Sequence, residues 1–101
     1  MNPQTGTAGA PHGAALAVLV AALEAVTVPP AGLPALRAAP QASLERFPLA
    51  GLGLDSLGRM EFCIQLELDH GVPLTPDRLV AMAELGELLR FIASAGAPPP
   101  P

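Results

Sequence analysis

A serine without a visible base is the place on this chain where chemistry is expected. Ser56 lies in Gly53-Leu54-Asp55-Ser56-Leu57, at the head of an apolar-rich run. The chain has two histidines, His12 and His70, no lysine, and no Ser/His/Asp order or spacing that would form a triad. A serine hydroxyl lacking a general base is a poor nucleophile, so no catalytic residue is assigned. The position suits attachment of a group by another enzyme. A phosphate ester fits it, because the N-terminus of a helix offers unpaired backbone N–H groups and the positive end of the dipole. Asp55, immediately before the serine, is a good N-cap.

The elements that position these residues must come from a small chain. At 101 residues there is room for one modest core. The hydrophobic half of the composition includes nineteen alanines, and aromatics are limited to three Phe. Leu, Val, Met and Phe must fill the core, which favours helices packed on helices over a sandwich. The single cysteine, Cys63, excludes an internal disulfide framework and a Cys-based zinc site, and no metal site is assigned. No positively charged leader precedes an apolar segment, and the apolar run 14–22 is too short to span a bilayer. A cytoplasmic protein without membrane contact is expected. All five basic residues are arginines, scattered singly at 37, 46, 59, 78 and 90, which argues against nucleic-acid binding. The net charge of −4 lies wholly in residues 55–101, where seven acids face three arginines. A partner with a basic docking surface is one consequence; a merely solvated acidic face is the other.

Residues 1–11 are small, polar and proline-punctuated, and are predicted to be a flexible arm. The first helix is predicted at 12–27, with Leu16, Leu19, Val20, Leu23 and Val26 on one face and Pro29-Pro30 as its stop. A long connector, 28–54, carries Leu33, Leu36, Leu44, Phe47, Leu49 and Leu52, which would pin it to the core, with short helical turns at 33–39 or 41–46. The second helix runs from Ser56 to His70 and ends at Gly71. Thr75 and Pro76 open a short third helix ending near Met82. The last helix spans 84–94, with Leu85, Leu88, Leu89 and Ile92 as its apolar face. The folded body is thus placed at 12–94 and a Pro-rich flexible tail at 95–101. The predicted fold class is all-α, a four-helix bundle with a long first loop and a short third helix.

At about 100° per residue, the second helix has two apolar groups. Leu57, Met60, Ile64 and Leu68 fall on one side; Phe62 and Leu66 fall about 160° away, with Cys63 between. In so small a domain a fully enclosed helix is hard to build. Phe62 and Leu66 are therefore predicted to face the core, leaving Leu57, Met60 and Ile64 partly exposed beside Ser56.

The window from Phe47 to Phe62, continuing to His70-Gly71-Val72-Pro73-Leu74, resembles the acyl carrier and peptidyl carrier protein family across residues 12–94. The resemblance rests on the long first loop, the Gly-Leu-Asp-Ser-Leu motif, Glu61 five residues after the serine, and the Ala83-Glu84-Leu85-Gly86-Glu87-Leu88 approach to the last helix. It implies that Ser56 accepts the 4′-phosphopantetheine arm of coenzyme A from a phosphopantetheinyl transferase that uses Mg²⁺. The arm's thiol, rather than Cys63, would carry an acyl or aminoacyl group as a thioester. Asp55 would be the motif acid that orients the transferase complex as well as the cap. Glu61 would be a docking acid, with Leu57, Met60 and Ile64 as apolar contacts; a solvated helix residue is the alternative for Glu61. Cys63 is read as a small apolar filler and His70 as a helix-end residue. The expected partners are the transferase, acyl- or aminoacyl-loading enzymes and downstream synthase enzymes, with the chain itself a monomer and not an enzyme.

The chain also departs from that family. Gly58 stands where an acid is common and costs up to about 1 kcal/mol of helix propensity relative to Ala; Arg59 adds a positive charge beside it. The second helix, with Glu61, Glu67 and Asp69, is less acidic than in housekeeping fatty-acid carriers. With its Ala/Pro/Gly/Arg-rich, lysine-free composition, the chain looks like a discrete carrier of a bacterial secondary-metabolite pathway, polyketide, nonribosomal peptide or hybrid. Gly53-Leu54, where aminoacyl carriers more often show Gly-Gly, leans towards acyl cargo. A discrete peptidyl or aminoacyl carrier is the close alternative. An unmodified helical adaptor is a third reading, and a hydrolase using Ser56 is the least supported.

Overall fold

An alanine-rich run builds the first helix, α1 (Gly13–Glu24), in the computed structural model, which describes residues 13–96. The expected arm at 1–11, His12 and residues 97–101 of the expected tail lie outside the described residues. Ala15, Leu19, Ala22 and Leu23 are buried, as is Val26 just beyond the helix. Leu16 and Val20, expected on the same face, pack half-buried against the core. The helix ends three residues before the predicted Thr27. Ala25 N–H turns to the Ala22 carbonyl at 3.2 Å, and the β-branched Val26-Thr27-Val28 then leads into Pro29-Pro30. Both β-branching and the residue-before-proline restriction disfavour continuing the helix.

The long first loop is more ordered than a connector. It holds α2 (Leu33–Ala38), a 3₁₀ helix at Gln41–Arg46 and a second at Leu49–Leu52. The four predicted helices are therefore joined by a further α-helix and two 3₁₀ helices. Both suggested turns exist, and the 49–52 turn was not foreseen. Leu33, Leu36, Leu44 and Leu52 are buried, and Phe47 and Leu49 pack against the core half-buried. Each fully buried leucine contributes roughly 2 kcal/mol, which holds down a segment that has few backbone bonds of its own.

Backbone bonds to distant segments fasten the loop at two points. Pro48 and Glu84 form an isolated antiparallel bridge, in which Leu49 N–H donates to the Ala83 carbonyl (3.0 Å) and Leu85 N–H to the Phe47 carbonyl (2.8 Å). At the other end, Gly32 N–H donates to the Leu52 carbonyl at 2.9 Å. Gly32 has φ −86° and ψ −2°, a conformation open to any residue; space is what demands glycine. A Cβ there would collide with the Gly51 carbonyl and lie 2.6 Å from Leu52 Cα. Gly32→Ala is expected to part these two segments and cost about 2–3 kcal/mol of stability, the range for overpacking a tight site. Urea unfolding checks it; an unchanged midpoint would mean that the two segments are not in contact.

The remaining helices follow their sequence signals closely. α3 (Ser56–His70) starts at the Asp55 cap and ends at Gly71 in the left-handed conformation, φ 69°. α4 (Pro76–Ala81) starts at Thr75, whose hydroxyl accepts from Arg78 N–H at 3.3 Å. α5 (Leu85–Gly96) reaches two residues past the predicted Ser94. At its start, Glu87 Oε2 accepts from the N–H groups of Ala83 (3.1 Å) and Glu84 (3.0 Å), the reach-back of a capping box.

The core forms where α1 packs on α3 and α5, with the 41–46 3₁₀ helix against α5 and α4 against α3. The described residues contain no named strand and no buried polar side chain. The fold is all-α and small, as an acyl-carrier-like bundle requires. Two exposed ion pairs, Glu24–Arg37 and Glu45–Arg90, tie neighbouring elements but add little at such exposure.

Cys63 is buried in this core, and burial pushes its thiol from 9.0 up to about 11. Well below pH 9 the thiol is neutral in folded and unfolded chains alike, and stability is unaffected. Above it the unfolded chain ionises first, so stability is lost as pH rises towards the folded value. The chain has no lysine or tyrosine, so no other side chain changes charge in that window. Urea midpoints at about pH 8.5 and about pH 10.5 should therefore differ for the wild type, and much less for Cys63→Ala. Equal pH dependence in the two would assign the loss elsewhere.

Candidate functional site

The site is built at the head of α3 by the turn that delivers the chain to it. Gly53 adopts the left-handed conformation (φ 75°) and ends the 49–52 3₁₀ helix. Asp55 follows in extended backbone (φ −85°, ψ −175°), and its Oδ1 accepts from Gly58 N–H at 2.7 Å. Its carbonyl accepts from Arg59 N–H at 2.9 Å. Gly58 now has a local reason: a Cβ there would sit 3.1 Å from Asp55 Oδ1 and 3.2 Å from Leu54 Cδ2, crowding the cap.

Ser56 is exposed in the first turn of α3. Arg59, one turn on, donates from Nη1 to the Leu54 carbonyl (3.0 Å) and from Nη2 to Ser56 Oγ (3.3 Å). An arginine is a donor at all times, never a base. His70 stands at the far end of the same 15-residue helix, about 21 Å away at 1.5 Å per residue. Asp55 has its carboxylate committed to the cap. Ser56 thus has a donor beside it, a helix N-terminus beneath it and solvent above it, a setting whose electrostatics suit a phosphate ester, and among the described residues no side chain is placed to act as its base.

Leu57, Met60 and Ile64 are exposed at 60%, 52% and 46%, whereas Phe62 and Leu66 are at 0%. The two predicted faces are therefore those observed, with Leu68 and Val28 extending the exposed stripe. Glu61 sits beside that stripe, yet its carboxylate is engaged: Oε1 accepts from Thr27 N–H (3.0 Å) and Oε2 from the Thr27 hydroxyl (2.8 Å). The pair clasps the segment after α1 to α3. Thr27 was missed by sequence reasoning, which placed it inside α1. Arg59 was read only as an added charge, although its i+3 spacing from Ser56 puts the two on one face.

Two recesses lie at the head of α3, one reaching Arg59 and the other Asp55 and Leu57. One, of about 200 Å³, is apolar and lies between the 49–52 turn, α4 and Met82, with Arg59 in its lining. The other, of about 60 Å³, includes Val28, Pro30, Leu57 and the two acids Asp55 and Glu61. Among the described residues no group of three or more His, Cys, Asp and Glu is disposed to hold a metal ion. No helix among them is long and apolar enough to cross a membrane.

The small all-helical bundle is of the acyl-carrier-like class. The chain belongs to the phosphopantetheine attachment site family, whose model matches residues 35–92, more than half of its length. Such a domain is the attachment site for covalent 4′-phosphopantetheine, and domains of this family are generally non-catalytic carriers, modified by phosphopantetheinyl transferases and visited by synthase enzymes. No curated protein and no solved structure shows a significant match to the chain.

Proposed function

We propose that Ser56 receives the arm and that the chain is an acyl carrier of polyketide, nonribosomal peptide or hybrid natural-product biosynthesis. The observation that carries the reading is the exposed Ser56 at the head of α3, inside the family match and inside the Gly-Leu-Asp-Ser-Leu motif. In the loading step the Ser56 Oγ–phosphorus bond forms as the pyrophosphate linkage of coenzyme A breaks, and adenosine bisphosphate leaves. The hydroxyl proton passes to a base of the transferase, which also holds the Mg²⁺, because none of the described residues is placed as a base for it. Asp55 holds the helix start in register for that reaction through its bond to Gly58 N–H. Once bound, the arm supplies a thiol that carries cargo as a thioester and raises its effective concentration at each docked enzyme.

Leu57, Met60 and Ile64 form the apolar contact for those enzymes, and Glu61 contributes charge from a position fixed by Thr27. A monomer in a cytoplasmic setting belongs to the same reading. Gly53-Leu54 favours acyl over aminoacyl cargo. Cys63, buried and with a raised thiol pKa, is unsuited to carry it.

The test is intact-protein mass after incubation with coenzyme A, Mg²⁺ and a broad-specificity transferase. One phosphopantetheine unit, mapped to the peptide containing Ser56, is expected. No gain by a folded protein, with an active control carrier, would replace this reading by the unmodified adaptor.

A further inference from the structure

The two flanks of Ser56 are chemically unlike, and each offers an arm leaving its oxygen a different surface. On the Val28 side lie the carboxylates of Asp55 and Glu61. On the other side lies Arg59, whose guanidinium is pinned by the Leu54 carbonyl and points its second amino group at Ser56 Oγ. Beyond Arg59 the apolar recess continues through Leu49, Leu52, Leu54, Leu79, Val80 and Met82. A phosphodiester carries one negative charge close to the serine oxygen. The next segment of a pantetheine arm carries a gem-dimethyl group, which is apolar. Cation first and apolar groove second is the order in which the arm presents its anion and its methyls.

We propose that Arg59 is a positioning residue that holds the phosphodiester on Ser56 and turns the dimethyl-bearing segment of the arm into the groove between the 49–52 turn and α4. The inference rests on the reading of Ser56 as the attachment residue. It assigns a function to a charge that the family resemblance marks as a departure. Arg59 suits the task because its planar fork donates to two acceptors at once: Nη1 is held by the Leu54 carbonyl, and Nη2 faces the serine oxygen. The exposed stripe of Leu57, Met60 and Ile64 is left uncovered for partners, since the arm departs on the other side.

The experiment compares apo and holo protein by NMR, in the wild type and in Arg59→Gln and Arg59→Lys. On loading, the wild type is expected to show a shift of the Arg59 Nε–H resonance. It should also show shifts at Leu79, Val80 and Met82, with contacts from the arm's methyl protons to Val80 and Met82. In Arg59→Gln the groove shifts should fall several-fold and the phosphorus signal should report freer motion, while Arg59→Lys restores part of both. A merely structural role for Arg59 would leave the phosphorus signal unmoved. Wild-type shifts confined to Val28, Pro30 and Glu61, or groove shifts equal in Arg59→Gln, would overturn the proposal. So would an Arg59 Nε–H unmoved on loading, which is read in the wild type alone and does not depend on the variants being loaded. Absence of a holo form in any protein would instead overturn the reading of Ser56, so the two failures are distinguishable.

Discussion

Ser56→Ala is expected to lose the whole mass gain on incubation with coenzyme A and a transferase, while unfolding in urea within about 0.5 kcal/mol of the wild type. The stability expectation follows from the position. Ser56 is exposed in the first turn of α3, its hydroxyl meets only the long 3.3 Å contact with Arg59, and the cap bond belongs to Asp55 rather than to the serine. The chain offers two further serines as internal controls. Ser43 lies within the 41–46 3₁₀ helix, and Ser94 in the last turn of α5, where the dipole is negative and disfavours a phosphate. Ser43→Ala and Ser94→Ala should load like the wild type. Loading retained in Ser56→Ala, or lost in Ser94→Ala, would move the attachment site. Asp55→Ala makes a different point: the hydroxyl remains, but loss of the cap costs about 1 kcal/mol and leaves the helix start frayed, so loading should slow without being abolished.

What could be seen of this site beforehand depended on how local its causes are. Asp55, Gly71, Thr75 and Pro76 mark helix ends through bonds within a few residues, and the observed ends of α3 and the start of α4 match them. The separation of Phe62 and Leu66 from Leu57, Met60 and Ile64 follows from helix period alone, and burial agrees. The end of α1 was misplaced because Val26 keeps the apolar spacing of the helix after the helix has stopped: it is buried from a turn. The stitches between Phe47–Leu49 and Ala83–Leu85, two backbone bonds, and between Gly32 and Leu52, one, span long separations. They leave no period or composition to read. Thr27 and Glu61, 34 residues apart, are of the same kind. Arg59 differs, since its spacing from Ser56 was readable; only the direction of its side chain towards Leu54 and the groove required the fold.

Phe62→Ala and Ile64→Ala, two residues apart on α3, are expected to separate folding from docking. Phe62 is fully buried where α3 meets the core, and truncating a buried Phe to Ala costs about 3–5 kcal/mol. Small domains are stable by about 5–15 kcal/mol, so the urea midpoint should fall by a large fraction and a weak bundle should unfold outright. Ile64 is 46% exposed, and its truncation should cost no more than about 1 kcal/mol, since only part of its apolar area is withdrawn from water. Partner engagement should show the reverse order. A folded Ile64→Ala, made with Met60→Ala to widen the loss, should be loaded and acylated several-fold more slowly at low carrier concentration and recover at high concentration, as expected when an apolar contact at an interface is removed. Equal stability losses for Phe62→Ala and Ile64→Ala would mean that α3 is enclosed on both sides. Unchanged loading in the Ile64/Met60 pair would mean that partners reach Ser56 without the exposed stripe. The burial argues against the first: one helix gives its Phe62 and Leu66 face to the core and leaves Leu57, Met60 and Ile64 exposed on the opposite side, beside Ser56.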